Sequence, residues 1–168
     1  AKQAASTSQM GRFETEFLAG DENLAALADL SGQWIDRVHA RHPPKAILLD
    51  MDRSVSPTHG DQEGAAYNGH FACTCYHPLF VFNQFGDLER SELRPGNVHS
   101  ADGWRFVLEP VVERYRKRDL RRYFRGDAAF ATPDIYEFLE AEGYKYTIRL
   151  KANAILQQSI AYLLTRPV

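Results

Sequence analysis

Lys45-Ala46-Ile47-Leu48-Leu49-Asp50-Met51-Asp52 is the stretch on which the reading of this chain turns. Three apolar residues, Ile47 to Leu49, run into two aspartates one residue apart. Pro43-Pro44 bounds the run on one side and polar residues bound it on the other. A short apolar run between such breaks predicts a buried strand. Burying a carboxylate is costly unless a cation, a metal or a donor compensates it. In α/β folds ligands collect at the carboxyl ends of strands. Asp52, at the end of this strand, is therefore the first candidate for binding or catalysis.

Working outward, the element before the strand is a helix. Leu24, Leu27, Ala28, Ser31, Trp34, Ile35 and Val38 fall at helical spacing, with Asp21 as its expected N-cap and Pro43-Pro44 beyond its end. Residues 1–20 are polar, lack a sustained period and read as an arm or linker; residues 21–168 read as one domain. After the strand, residues 53–69 read as a long loop, of the kind that is either functional or disordered. His70–Tyr76 and Leu79–Gln84 have strand composition, Gly86-Asp87 is a tight turn, and Leu88–Leu93 returns as the other arm of a hairpin. Trp104, Val107, Leu108, Val111, Val112 and Tyr115 predict a helix, with Pro110 kinking or restarting it. Leu120–Arg125 is a strand delivering Gly126-Asp127. Thr132-Pro133 opens a helix that stops at Gly143. Tyr144–Leu150 is a strand and Asn153–Leu164 a last helix. Antiparallel strands followed by βα units make an α/β layer fold with a mixed sheet flanked by helices.

Bulk properties exclude several classes. The chain has 168 residues, 44% hydrophobic and 25% charged, enough for one independent core. A net charge of −2 gives no bulk basicity toward nucleic acid, which leaves a local basic face as the remaining electrostatic route. Cys73 and Cys75 can neither fill a zinc site nor staple a scaffold, and read as reduced residues of a cytoplasmic protein. No apolar run approaches the about 18 residues that span a bilayer, so no membrane partner is expected.

A second strand also ends in acid, at Asp127. If the two strands are parallel neighbours, Asp52 and Asp127 meet at one edge of the sheet. Two hard oxygen ligands there suit Mg²⁺ or Mn²⁺, and such ions support phosphodiester cleavage. The alternative on spacing alone is that the two aspartates cap turns or pair with Arg53 and Arg125.

Longer motifs add to this reading. Leu49-Asp-Met-Asp-Arg-Ser-Val-Ser-Pro-Thr-His-Gly-Asp-Gln-Glu-Gly-Ala-Ala-Tyr-Asn-Gly-His-Phe71 resembles the transposases of IS1380-type insertion sequences, bacterial DDE enzymes of the IS4-like group. Cys75-Tyr-His-Pro-Leu-Phe-Val-Phe-Asn-Gln-Phe-Gly-Asp87, Leu93-Arg-Pro-Gly-Asn-Val-His-Ser-Ala-Asp102 and Tyr123-Phe-Arg-Gly-Asp-Ala-Ala-Phe130 extend the resemblance over nearly the whole chain. It implies an RNase H-like core, a catalytic Asp-Asp-Glu triad holding two divalent metals, and DNA as partner and substrate, with a possible homodimer on the DNA. Carried over, the first two acids are Asp52 and Asp127. The family has a small hydroxyl residue after the first Asp; Arg53 stands there, a cation expected to compete with metal for Asp52. The family's Glu lies on a helix well beyond the second Asp, after an inserted segment. Glu137, Glu140 and Glu142 come too early to match it, so the chain reads as a truncated catalytic core, either active or a non-catalytic remnant.

Arg114, Arg116, Lys117, Arg118, Arg121, Arg122 and Arg125 form a basic stretch that could contact phosphates or simply solvate a helix end. His59 and His70, with Tyr67 and Asn68, lie in or beside the long loop, where a role at a DNA end or a surface position are both open. His77 and His99 show no ligand spacing and read as packing or loop residues. The opening stretch also resembles the first motif of haloacid dehalogenase-like phosphatases, which would make Asp50 a nucleophile and Asp52 its general acid/base. That family's later acidic pair is not matched, because Asp134 lies too far beyond Gly126-Asp127.

Overall fold

A computed structural model describes residues 5–164. Residues 1–4 of the expected arm and residues 165–168 of the expected domain lie outside the described residues. The main sheet has five strands: β1 (Ala46–Arg53), β5 (Leu79–Asn83), β6 (Leu88–Glu92), β7 (Arg121–Gly126) and β8 (Lys145–Ile148), in the order β6-β5-β1-β7-β8. β1 pairs antiparallel with β5, and β5 with β6; β1 pairs parallel with β7, and β7 with β8. A contiguous antiparallel half thus continues into parallel βα units, the RNase H-like mixed sheet that the resemblance implies.

The core follows the alternation of β1. Ile47, Leu49 and Met51 are fully buried, as are Leu79 and Val81 on β5, and Phe124 on β7 is nearly so. Helix α3 (Trp104–Arg116) lays Val107, Leu108, Val111, Val112 and Tyr115 on this face. Helix α4 (Pro133–Ala141) adds Ile135, Phe138 and Leu139. Pro133 stands at the first helical position, as expected, and Gly143, at φ +71°, ends α4 in a left-handed conformation that favours glycine. The other face of the sheet carries the intervening residues, among them Leu48, Asp50, Asp52 and their register partners Phe80, Phe82, Tyr123 and Arg125. Helix α2 (Asp21–Arg41) lies against β6 and buries Ile35 and His39.

Glu89 on β6 is fully buried and anchors three elements. It accepts from the Tyr115 hydroxyl at 2.7 Å and from Asn83 Nδ2 at 2.9 Å, and it pairs with Arg114. Burial, and the Glu89 charge behind it, push the Tyr115 phenol well above its usual range.

Several expectations need correction. Residues 53–69 are not simply a loop: β2 (Ser56–Pro57) and β3 (Ala66–Asn68) flank β4 (Cys73–Tyr76) in a small separate sheet. Only Cys73–Tyr76 of the expected 70–76 strand is extended, and it pairs there rather than in the main sheet. Helix α3 runs unbroken through Pro110. The carbonyl that proline leaves without its N–H belongs to Phe106, which is 74% exposed, so water can take it. Gly20, not Asp21, is the N-cap of α2. Within the expected arm, helix α1 (Thr7–Arg12) and a π-type turn (Phe13–Leu18) form behind a capping box in which Ser6 and Gln9 bond each other's backbone N–H. Neither buries a side chain. The last helix, α5 (Ala154–Leu164), begins where Asn153 accepts from the Leu156 N–H at 2.8 Å. None of the described helices is long and apolar enough to cross a membrane.

Candidate active site at the carboxyl edge of the sheet

Parallel pairing of β1 with β7 ends at Met51 opposite Gly126. The next residue on each strand is an acid. Asp52 and Asp127 therefore take neighbouring positions at the carboxyl edge, which is the geometry expected if these strands are parallel neighbours. Each carboxylate is fixed locally. Asp52 Oδ1 accepts from the Arg53 N–H at 2.8 Å. Asp127 Oδ1 accepts from the Ala129 N–H at 2.8 Å, capping the short 3₁₀ turn Ala128–Phe130.

Arg53 alternates to the other side of β1 from Asp52, and its Nη2 lies 3.7 Å from Asp127 Oδ2. The cation expected to compete at Asp52 thus meets the second acid instead. Arg125 is engaged one pleat back, where its Nε donates to Asp50 Oδ2 at 3.1 Å on the open face. Among the described residues no three acidic, histidine or cysteine side chains are grouped to hold a metal ion. The donor set at the edge is two carboxylates, which fits part of the shell of a hard divalent ion.

Beside Asp127 opens a cleft of about 480 Å³, lined among others by Arg53, His70, His77, His99 and Lys151. His77 is 2% exposed and neither ring nitrogen has a hydrogen-bond partner. Burial lowers its pKa, and the Arg94, Arg53 and His99 charges add to that effect, so the ring is neutral near pH 7. Arg94 builds this wall: its Nε donates to the His77 carbonyl at 2.9 Å, and its Nη1 to the carbonyls of Ser100, at 3.2 Å, and Asp102. His99 Nδ1 accepts from the Ala101 N–H at 3.3 Å. The expectation that His77 and His99 are packing or loop residues misses this shared cleft. No periodicity could have revealed it, since the signal is a buried ring left without partners.

The basic stretch is largely occupied. Arg114 pairs with Glu89, and Arg116 with Glu142 at 2.7 Å. Arg118 pairs with Asp36 at 2.5 Å. Arg122 Nη2 donates to the carbonyls of Tyr115, Arg116 and Arg118, closing the end of α3. Lys117 and Arg121 are exposed, but Arg121 lies in register with Ala46, at the opposite edge of the sheet from Asp52 and Asp127.

The chain is similar in fold to several solved transposases. A piggyBac transposase synaptic complex with hairpin DNA matches at 16% identity and a TM-score of 0.48, over 71% of this chain and 26% of that one. The catalytic domain of Mos1 mariner transposase matches at 13% identity and 0.45, over 99% and 77%. The Mos1 paired-end complex with the left transposon end matches at 15% and 0.41, over 98% and 51%. The chain thus spans about a quarter of the length of the piggyBac chain. No curated protein matches it. The family model described as transposase DDE domain group 1 matches residues 1–168, and by that match over its full length the chain belongs to the DDE transposase domain family.

Proposed function

We propose that this chain is the catalytic core of an IS1380-type DNA transposase, in which Asp52 and Asp127 are the first two acids of the metal-binding set. The observation that supports the proposal is the register: β1 and β7 pair in parallel up to Met51 opposite Gly126, the residues just before Asp52 and Asp127, at the edge where α/β folds bind ligands. Asp52 and Asp127 would hold Mg²⁺ or Mn²⁺, which when bound supplies charge neutralisation at a phosphate and a more acidic attacking oxygen. The residues do the orienting. The Arg53 N–H holds one carboxylate and the Ala129 N–H the other, each by one backbone bond. Arg53 and Lys151 bring positive charge to the cleft beside Asp127, where a DNA phosphate would lie.

Calorimetric titration with Mn²⁺ tests this on the parent chain and on Asp52→Asn and Asp127→Asn. Binding by the parent, lost in both variants, is the expected result. A parent that binds no metal overturns the two-acid site. One observation favours a second reading: Arg53 already engages Asp127. A chain that binds DNA with no metal dependence would be a non-catalytic remnant of a transposase.

A further inference from the structure

Burying a hydrogen-bonding group without a partner is costly, and a ligand is one of the things that can meet such a group. Two side chains with buried, unpartnered nitrogens line the cleft beside Asp127. Both ring nitrogens of His77 are buried without a partner, and so is Arg53 Nε. Lys151 brings a second cation, and Asp127 is the acid at this wall. Asp127 offsets Arg53, which it meets, so the two cations against one acid leave the wall a net positive charge carried by Lys151. Arg94 stands behind His77 and fixes the loop that carries His99, so the wall is held by hydrogen bonds rather than left loose. A volume of about 480 Å³ admits a phosphate with an attached sugar but not a duplex.

We infer that this cleft is a phosphate-binding subsite, in which the His77 ring N–H, Arg53 and Lys151 take a single backbone phosphate of a DNA strand lying along the carboxylate edge. The subsite adjoins Asp127 and shares Arg53 with it, while His77 and Lys151 belong to the subsite alone. That the phosphate belongs to DNA rests on the transposase reading above; that the cleft takes an oxyanion does not.

The test follows the imidazole nitrogens of the whole chain by long-range ¹H–¹⁵N NMR during titration with inorganic phosphate and, separately, with a short oligothymidylate. Exposed His42 serves as the internal control. Anisotropy of the labelled oligonucleotide gives affinity for the parent, His77→Phe and Lys151→Ala. His77→Phe keeps the ring packed near Phe71 while removing both nitrogens, and Lys151→Ala touches only an exposed loop. The expected result is saturable movement of the His77 signals with both probes, His42 unmoved, and roughly tenfold weaker oligonucleotide binding in each variant. Oligonucleotide binding with His77 unmoved and both variants at parental affinity overturns the subsite and leaves the transposase reading intact. Movement with phosphate alone overturns the DNA assignment and keeps an anion site. No response to either probe overturns the subsite, and the Mn²⁺ titration then judges the transposase reading separately.

Discussion

Arg53→Ser should strengthen divalent metal binding. The Arg53 guanidinium lies 3.7 Å from Asp127 Oδ2, and the two side chains are 28% and 43% exposed. At that separation two unit charges interact by about 1.1 kcal/mol in bulk water and about 4.5 kcal/mol at an effective dielectric of about 20. With Asp127 almost half exposed, screening brings the value toward the lower end. Removing the cation therefore frees about 1–2 kcal/mol of competition for the acid, and Mn²⁺ affinity should rise roughly five- to thirtyfold. Calorimetry on the parent, Arg53→Ser and Arg53→Lys measures it, with Arg53→Lys expected between the other two. Asp50→Asn is the control. Asp50 is bonded to Arg125 one pleat back from the edge, so its loss should leave Mn²⁺ affinity unchanged, whereas a phosphatase nucleophile at Asp50 would lose all turnover. Unchanged or weaker Mn²⁺ binding in Arg53→Ser would refute the claim that Arg53 and the metal compete for Asp127.

Three further outcomes follow from the packing. Glu89→Ala should cost about 2–4 kcal/mol in urea unfolding, because it removes the buried acceptor of Tyr115, Asn83 and Arg114 and leaves Arg114 with Asp36 at 3.8 Å, whereas Tyr115→Phe should cost about 1–2 kcal/mol for one lost bond. Gly96→Ala should sharply lower the thermal midpoint, since an added Cβ would lie 2.4 Å from the Ala66 carbonyl oxygen and 2.6 Å from that of Cys75, and backbone cannot swing aside as a side chain can. Burial lowers the pKa of both His39 and His77. The unfolded chain then binds more protons than the folded one between the lowered values and about 6.5, so stability is complete above pH 6.5 and falls as pH drops below it. Chemical denaturation across that range should show the decline, with a shallower slope in His77→Phe.

What the sequence disclosed was whatever rests on short-range pattern. Ile47, Leu49 and Met51 alternate with Leu48, Asp50 and Asp52, and that period alone assigns the two faces of β1. Thr132-Pro133 and Gly143 punctuate α4 because capping is a local matter. The placement of Asp127 beside Asp52 required only that two acid-ended strands be parallel neighbours. Other features escaped because they depend on partners far along the chain or on solvent. The small sheet of β2, β3 and β4 is stitched from segments too short to show a period. Pro110 is tolerated within α3, opposite Phe106 on an exposed turn of the helix. Arg114 and Arg118 read as a phosphate-binding run until Glu89 and Asp36 approach them from other elements. His77 carries no pattern at all; its significance lies in what fails to meet it.

The strand order also has a kinetic consequence. β1 and β5 are joined across the small sheet alone, whereas β7 must return across that sheet, the β5–β6 hairpin and α3 before it meets β1. Loop-closure entropy delays such distant pairing. We predict that pulse-labelled hydrogen exchange during refolding will show the β1–β5 amides protected before those of β7. Asp52 would then be in place while Asp127 is still in an unformed strand. On the two-acid proposal, any affinity for a divalent ion would arise only in the last stage of folding, once β7 has joined β1, and early collapsed states would lack it.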